Sequence, residues 1–183
     1  MSRKFSSLIL AFACLITTGM KATVQNAKPV VFTTLSKVTV AKMQSDESDV
    51  TEVPGRVTLT VTAANFDDTI TGTIVYTISD NTRQKIAKAS GKDLSIIPTT
   101  FFKKDVISSF PKGTACPVMH VIIPPTVIEG AGIGLELERT VVEINESQGQ
   151  MAQLICAWTR QINANRHRRG IIAAINRFIA GEQ

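Results

Sequence analysis

Two apolar stripes near the C-terminus limit the folds open to this chain. Across 150–180, QMAQLICAWTRQINANRHRRGIIAAINRFIA, Met151, Leu154, Ile155, Trp158 and Ile162 recur at the spacing of one helix face. Ile171, Ile172, Ile175, Phe178 and Ile179 repeat the pattern beyond a basic interruption. Such a face must be buried against an apolar surface, and almost everything upstream reads as β-strand. The expected fold is mainly β with C-terminal helices (α+β): an antiparallel sheet or β-sandwich covered by one kinked or two short amphipathic helices. The expected organisation is a signal peptide over 1–22, a β-rich domain over 23–148 and a helical segment over 149–183 packed on or extending from that domain. A chain of 183 residues suffices for one domain with a sizeable core.

The β reading rests on alternation and punctuation. VVFTTLSKVTVAKM, ending at Met43, reads as one long strand or two short ones, followed by a polar connection QSDESDVTE and a turn at Pro54-Gly55. Arg56 to Thr62 alternates, with Val57, Leu59 and Val61 on one face and Thr58, Thr60 and Thr62 on the other, as in a half-buried antiparallel strand. Asn65 to Asp68 supplies a turn, and Ile70 to Ile78 the partner strand. Thr82 to Ala89 reads as a short surface helix stopped by Gly91, or as a loop. Leu94 to Ile97 is a brief strand ended by Pro98. Phe101 and Phe102 are expected to tuck a crossover segment onto the core. Pro111 to Pro117 is irregular, and Val118 to Ile123 is a strand ended by Pro124-Pro125. Gly130, Gly132 and Gly134 lack the order and following helix of a phosphate-binding loop and read as a bend, before a strand from Leu135 to Ile144. Asn145 or Ser147 caps the first C-terminal helix, and Gly170 and Gly181 suit helix ends.

Residues 1–22 have a basic start at Arg3 and Lys4, an apolar run from Leu8 to Ile16 and a small-residue region, the three parts of a secretory signal. The alternatives are a buried or membrane-anchoring N-terminal helix, or lipidation at Cys14. Export implies a periplasmic or extracellular location. Removing 1–22 takes away Arg3, Lys4 and Lys21, so 17 basic residues face 15 acidic ones and the formal charge falls from +5 to +2. The remaining Cys116 and Cys156 either form a disulfide tying the β domain to its helix or stay as buried small hydrophobes.

Catalytic chemistry has little to use. Cys116 and His120 are the only sequence-near cysteine and histidine pair, acids such as Glu136 and Glu138 share one strand face, more often a solvated face than a catalytic pair, and no spacing of ligating residues forms a metal site or calls for a cofactor. The charged feature carried forward is the arginine group Arg160, Arg166, Arg168, Arg169 and Arg177, which either caps helices and pairs with acids of the β domain or forms a patch facing an anionic partner. The expected function is noncatalytic: an exported β-rich protein acting through protein contact or oligomerisation, with the two helical stripes as its interface. The alternatives are a peripheral protein on an anionic membrane surface, using its amphipathic helices, and a small secreted hydrolase with a site assembled from distant residues. Nucleic acid is the weaker choice of partner for an exported chain.

Overall fold

The computed structural model describes residues 31–33, 39–44 and 50–181; the expected signal peptide lies outside them. In chain order the strands are β1 (Val31–Thr33), β2 (Thr39–Gln44), β3 (Val50–Ala64), β4 (Thr69–Ile78), β5 (Thr100–Ser109), β6 (Val118–Ile123), β7 (Thr126–Gly130), β8 (Ile133–Leu137) and β9 (Thr140–Asn145). Helix α1 (Asp80–Ser90) lies between β4 and β5, and α2 (Gln150–Asn163) and α3 (Arg169–Ala180) end the chain.

All pairings are antiparallel, and their registers join several segments into longer runs. Between Ser109↔Ile122 and Phe102↔Glu129 both partners move by seven residues, so β6 and β7 continue one another along β5 across Pro124-Pro125. Likewise Ile123↔Thr140 and Thr126↔Leu137 are three residues apart on both sides, so β9 and β8 line up along the β6 and β7 run. Both β1 and β2 pair with β3. Finally β2 meets β8 at Ala41↔Leu137 and Lys42↔Glu136, closing the ring β2-β3-β4-β5-β7-β8. The single curved sheet is therefore an antiparallel barrel with helices at its ends, and closure removes the exposed edges of an open sheet.

The alternation seen in the sequence sorts the side chains. Val57, Leu59, Val61, Ile70, Ile74 and Tyr76 are buried inside, joined by Met119, Val121, Leu135, Leu137, Val142 and Ile144. The threonines of β3 and β4 face outward. The interior is thus filled with mainly aliphatic side chains.

Several expectations are corrected. Pro54-Gly55 is not a turn: β3 runs through it, and Val50 to Glu52 of the expected polar connection belong to the same strand. Pro54 is tolerated because it precedes the start of the β4 ladder at Gly55↔Ile78. Gly55 is required because a Cβ there would come within 2.6 Å of the Tyr76 ring. Leu94–Ile96 is a 3₁₀ turn rather than a strand, capped by Asp93, whose carboxylate accepts from the Ser95 amide. Phe101 and Phe102 lie in a strand, β5, and not in a crossover, with Phe101 inside and Phe102 outside. The Leu135 to Ile144 run breaks at Glu138 and Arg139 into β8 and β9. The expected glycine-rich bend is present as the hairpin between β7 and β8, where Ala131 and Gly132 both take positive φ (50° and 70°), as a two-residue primed turn requires.

Helix α1 closes one end of the barrel, with Ile86 fully buried beneath it and the Thr82 hydroxyl donating to the Pro54 carbonyl at 3.3 Å. The other end is closed by α2 and α3. Met151, Ile155, Trp158, Ile172 and Ile175 are buried within the chain, while Leu154, Ile162, Ile171, Phe178 and Ile179 keep part of their surface. Two helices form, not one kinked helix. They part at Asn165, which takes the left-handed conformation (φ 49°) expected of glycine, whereas Gly170 falls inside the first turn of α3. Asn145 caps the 3₁₀ turn Glu146–Gln148, leaving Gly149 as the N-cap of α2 with no side-chain bond.

A disulfide joins Cys116 to Cys156, with Cα atoms 5.5 Å apart, and holds the β5–β6 loop against α2. A second tie lies beside α3, where the Asn176 side-chain amide brackets one residue at the end of β3: the Ala64 N–H donates to Oδ1 at 2.8 Å and Nδ2 donates to the Ala64 carbonyl at 3.0 Å. The backbone there has passed the bulge at Thr62, and the side chain supplies the partner that a neighbouring strand would otherwise provide.

Candidate functional site

The α2–α3 connection and the β3–β4 turn meet at one end of the barrel. The β3–β4 turn is Asn65-Phe66-Asp67-Asp68, with Asp68 at φ 64°. Its polar residues hold the turn in shape: the Asp67 carboxylate accepts from the Thr69 hydroxyl at 2.6 Å and backbone amide at 3.3 Å, and these bonds keep its pKa below the usual range. The Asn65 amide donates to Thr69 and Thr71. Phe66 at the tip is left 75% exposed, the most exposed large apolar residue described.

Phe66, Arg166, His167, Arg168, Arg169 and Ile172 line an open depression of about 480 Å³. Arg168 is fixed by Asp68, its guanidinium 2.8 Å from the carboxylate. Arg166, His167 and Arg169 are exposed and have no ion pair among the described residues. Arg168 and Arg169 sit at the start of α3, whose first turn holds no acidic residue and whose N-cap makes no side-chain bond. Cations at a helix N-terminus oppose the macrodipole and are the reverse of the usual pattern. Asp68 offsets one of these charges from outside the helix.

Not all of the expected cluster assembles here. Arg160 lies in the last turn of α2, 3.9 Å from Glu146, and Arg177 in the last turn of α3. Both occupy positions where a cation suits the helix dipole. The site's central residue, Phe66, is one that sequence reading passed over as part of a turn. Its signal was a large aromatic among Asn and Asp residues, where no alternation gives it an inward face.

The other chemical candidates fall into place elsewhere. Cys116 is spent in the disulfide and is no nucleophile, and His120 lies on the outer wall, 3.5 Å from Glu143 on the neighbouring strand. Glu138 pairs with Lys42 at 2.5 Å across the closing seam, and that hydrogen bond holds the Lys42 pKa above its usual range. The Cys116, Cys156 and Glu146 donor atoms lie within 4.8 Å of one another, but the two sulfurs are bonded together, so they form no metal-binding set in the oxidised protein. No helix among the described residues is long and apolar enough to cross a membrane.

Fold and site together define a helix-plugged antiparallel β-barrel with an aromatic and arginine-rich end. No protein-family model, no curated protein and no solved structure matches this chain.

Proposed function

We propose that the chain is a noncatalytic exported protein that acts through protein contact, and that the arginine-rich end of the barrel makes the contact. The observation that carries this reading is Phe66, 75% exposed on a hydrogen-bonded turn and framed by Arg166, His167 and Arg169 without carboxylate partners among the described residues. Aromatic and arginine side chains dominate the energetics of protein interfaces. The charge selects an acidic partner surface. Export is supported by the disulfide, which persists in oxidising compartments, and by the signal-like start of the sequence.

The test is a photo-reactive amino acid at position 66 of the full chain, expressed in its own host. A discrete protein adduct that disappears in the Arg166→Gln/Arg169→Gln variant is expected. Adducts to lipid, or none above background, would defeat the proposal. An adduct with the mass of two copies would make the partner the chain itself.

A further inference from the structure

A second cleft lies away from the arginine-rich end, between the β5–β6 loop and α2. Phe110, Pro111, Lys112, Thr114, Ile162 and Asn163 are among the residues around a space of about 290 Å³, near the lower bound of about 300 Å³ for small-molecule pockets. The cleft is built rather than incidental. The Cys116–Cys156 disulfide clamps its two walls together, and the Asn163 side chain reinforces them by donating to the Thr114 carbonyl at 2.8 Å. The Phe110 wall is itself fixed, its ring edge-on to the buried Trp158 with centroids 5.3 Å apart.

One buried hydroxyl of this cleft is unused. Among the residues that line it, Thr114 has its Oγ1 buried with no hydrogen-bond partner. Native proteins leave few such atoms unpaired, and an unpaired buried hydroxyl costs free energy that a ligand can recover. Thr114 lines the cleft while only 7% exposed. The Thr159 hydroxyl already donates to the Cys156 carbonyl at 2.9 Å and so is left to accept. Lys112 at the rim has no ion-pair partner among the described residues, and no carboxylate lines the cleft. Phe110, Pro111 and Ile162 make the remaining wall apolar.

We infer that this cleft binds a small monocarboxylate with an apolar body. The carboxylate is held by the Thr114 hydroxyl and the Lys112 ammonium, and the body lies against Phe110 and Ile162. This site is independent of the contact proposed for Phe66 and stands or falls without it.

The experiment is a ¹H–¹⁵N NMR titration of the oxidised protein with sodium benzoate and, in parallel, with benzamide. Saturable shifts of the Lys112, Gly113 and Thr114 amides and the Trp158 indole N–H are expected with benzoate. Thr114→Val should weaken benzoate by about tenfold or more, the loss expected for a hydrogen bond to a charged group. Thr114→Ser should keep the affinity, which separates loss of the hydroxyl from a disturbed loop. Lys112→Gln should remove the preference for benzoate over benzamide. The inference is overturned by the absence of saturable shifts at these positions, by shifts confined to 166–172, or by equal affinity in wild type and Thr114→Val.

Discussion

At the α1 end of the barrel, each helix terminus has the partner that elementary rules prescribe; at the α2–α3 end, the helix starts do not. The Ser79 hydroxyl caps α1 by accepting from the Thr82 amide, Asp80 stands in its first turn, Lys88 in its last, and Gly91 turns left-handed after it. Neither α2 nor α3 has a side-chain N-cap bond, α3 opens on two arginines, and a phenylalanine stands exposed beside them. The C-terminal ends of these same helices follow the rules, with Asn165 and Gly181 left-handed. The departure is therefore local to one surface and is not a property of poor helices. Proteins break local rules where function asks for it and compensate elsewhere. Here the compensation is a disulfide, the Asn176 bracket on Ala64 and the Asp68–Arg168 pair.

This contrast can be broken or sharpened by experiment. The largest effect should come from Cys116→Ala/Cys156→Ala, which opens a loop of 40 residues and should cost about 4 kcal/mol in urea unfolding. Hydrogen exchange should show the loss of protection centred on α2, with α1 little changed; a uniform loss would mean that the two ends are one cooperative unit. Ile86→Ala empties the fully buried position under α1 and should cost about 3 kcal/mol. It should leave photo-crosslinking at position 66 intact.

Alkaline pH should also act from the α1 end. The Tyr76 hydroxyl lies 2.6 Å from the Thr39 carbonyl and 2.5 Å from that of Val53, and burial pushes its pKa up to about 12. Between the unfolded value of about 10 and that folded value, the native state holds a proton the unfolded state has lost. Stability is thus complete below about pH 10 and falls as pH rises, by at most about 1.4 kcal/mol per pH unit. Tyr76→Phe should flatten this slope in unfolding curves measured from pH 9.5 to 11.5, values set around the ordinary phenol pKa of about 10.

Smaller effects decide the electrostatic argument. Ser79→Ala should cost about 1 kcal/mol through loss of the α1 cap. Arg169→Glu should do the opposite, raising stability by about 0.5 kcal/mol because an acid suits the start of α3, while abolishing the position-66 adduct. A destabilised Arg169→Glu protein would show that the charge at this end is already balanced within the fold.

The wall of the barrel was legible because its signal is periodic. Val57, Leu59 and Val61 alternate with threonines, and the structure buries the first set and turns the second outward. The disulfide and the β-rich class with C-terminal helices could likewise be read from cysteine position and apolar spacing. What could not be read depends on neighbours distant in sequence. Pro54-Gly55 carries every local mark of a turn, yet the Tyr76 ring needs the space over Gly55 and keeps the strand running. Leu94 to Ile97 was apolar enough for a strand, but Asp93 captures the Ser95 amide and closes a 3₁₀ turn instead. The candidate site was half visible: Arg166, Arg168 and Arg169 stood out as charge, whereas Phe66 gains its place only when β3 and β4 carry it to the same end.

The seam between β2 and β8 has a consequence for how the molecule comes into being. Its two residue pairs join positions 96 and 94 apart, Ala41 with Leu137 and Lys42 with Glu136, with Lys42 also reaching Glu138. Closure by this pairing therefore waits until β8, Ile133–Leu137, has been made. Such long-range pairing slows folding. A chain of this topology keeps its barrel open until β8 has been synthesised. The late seam thus makes the order of events, wall first and closure afterwards, a property of the topology itself.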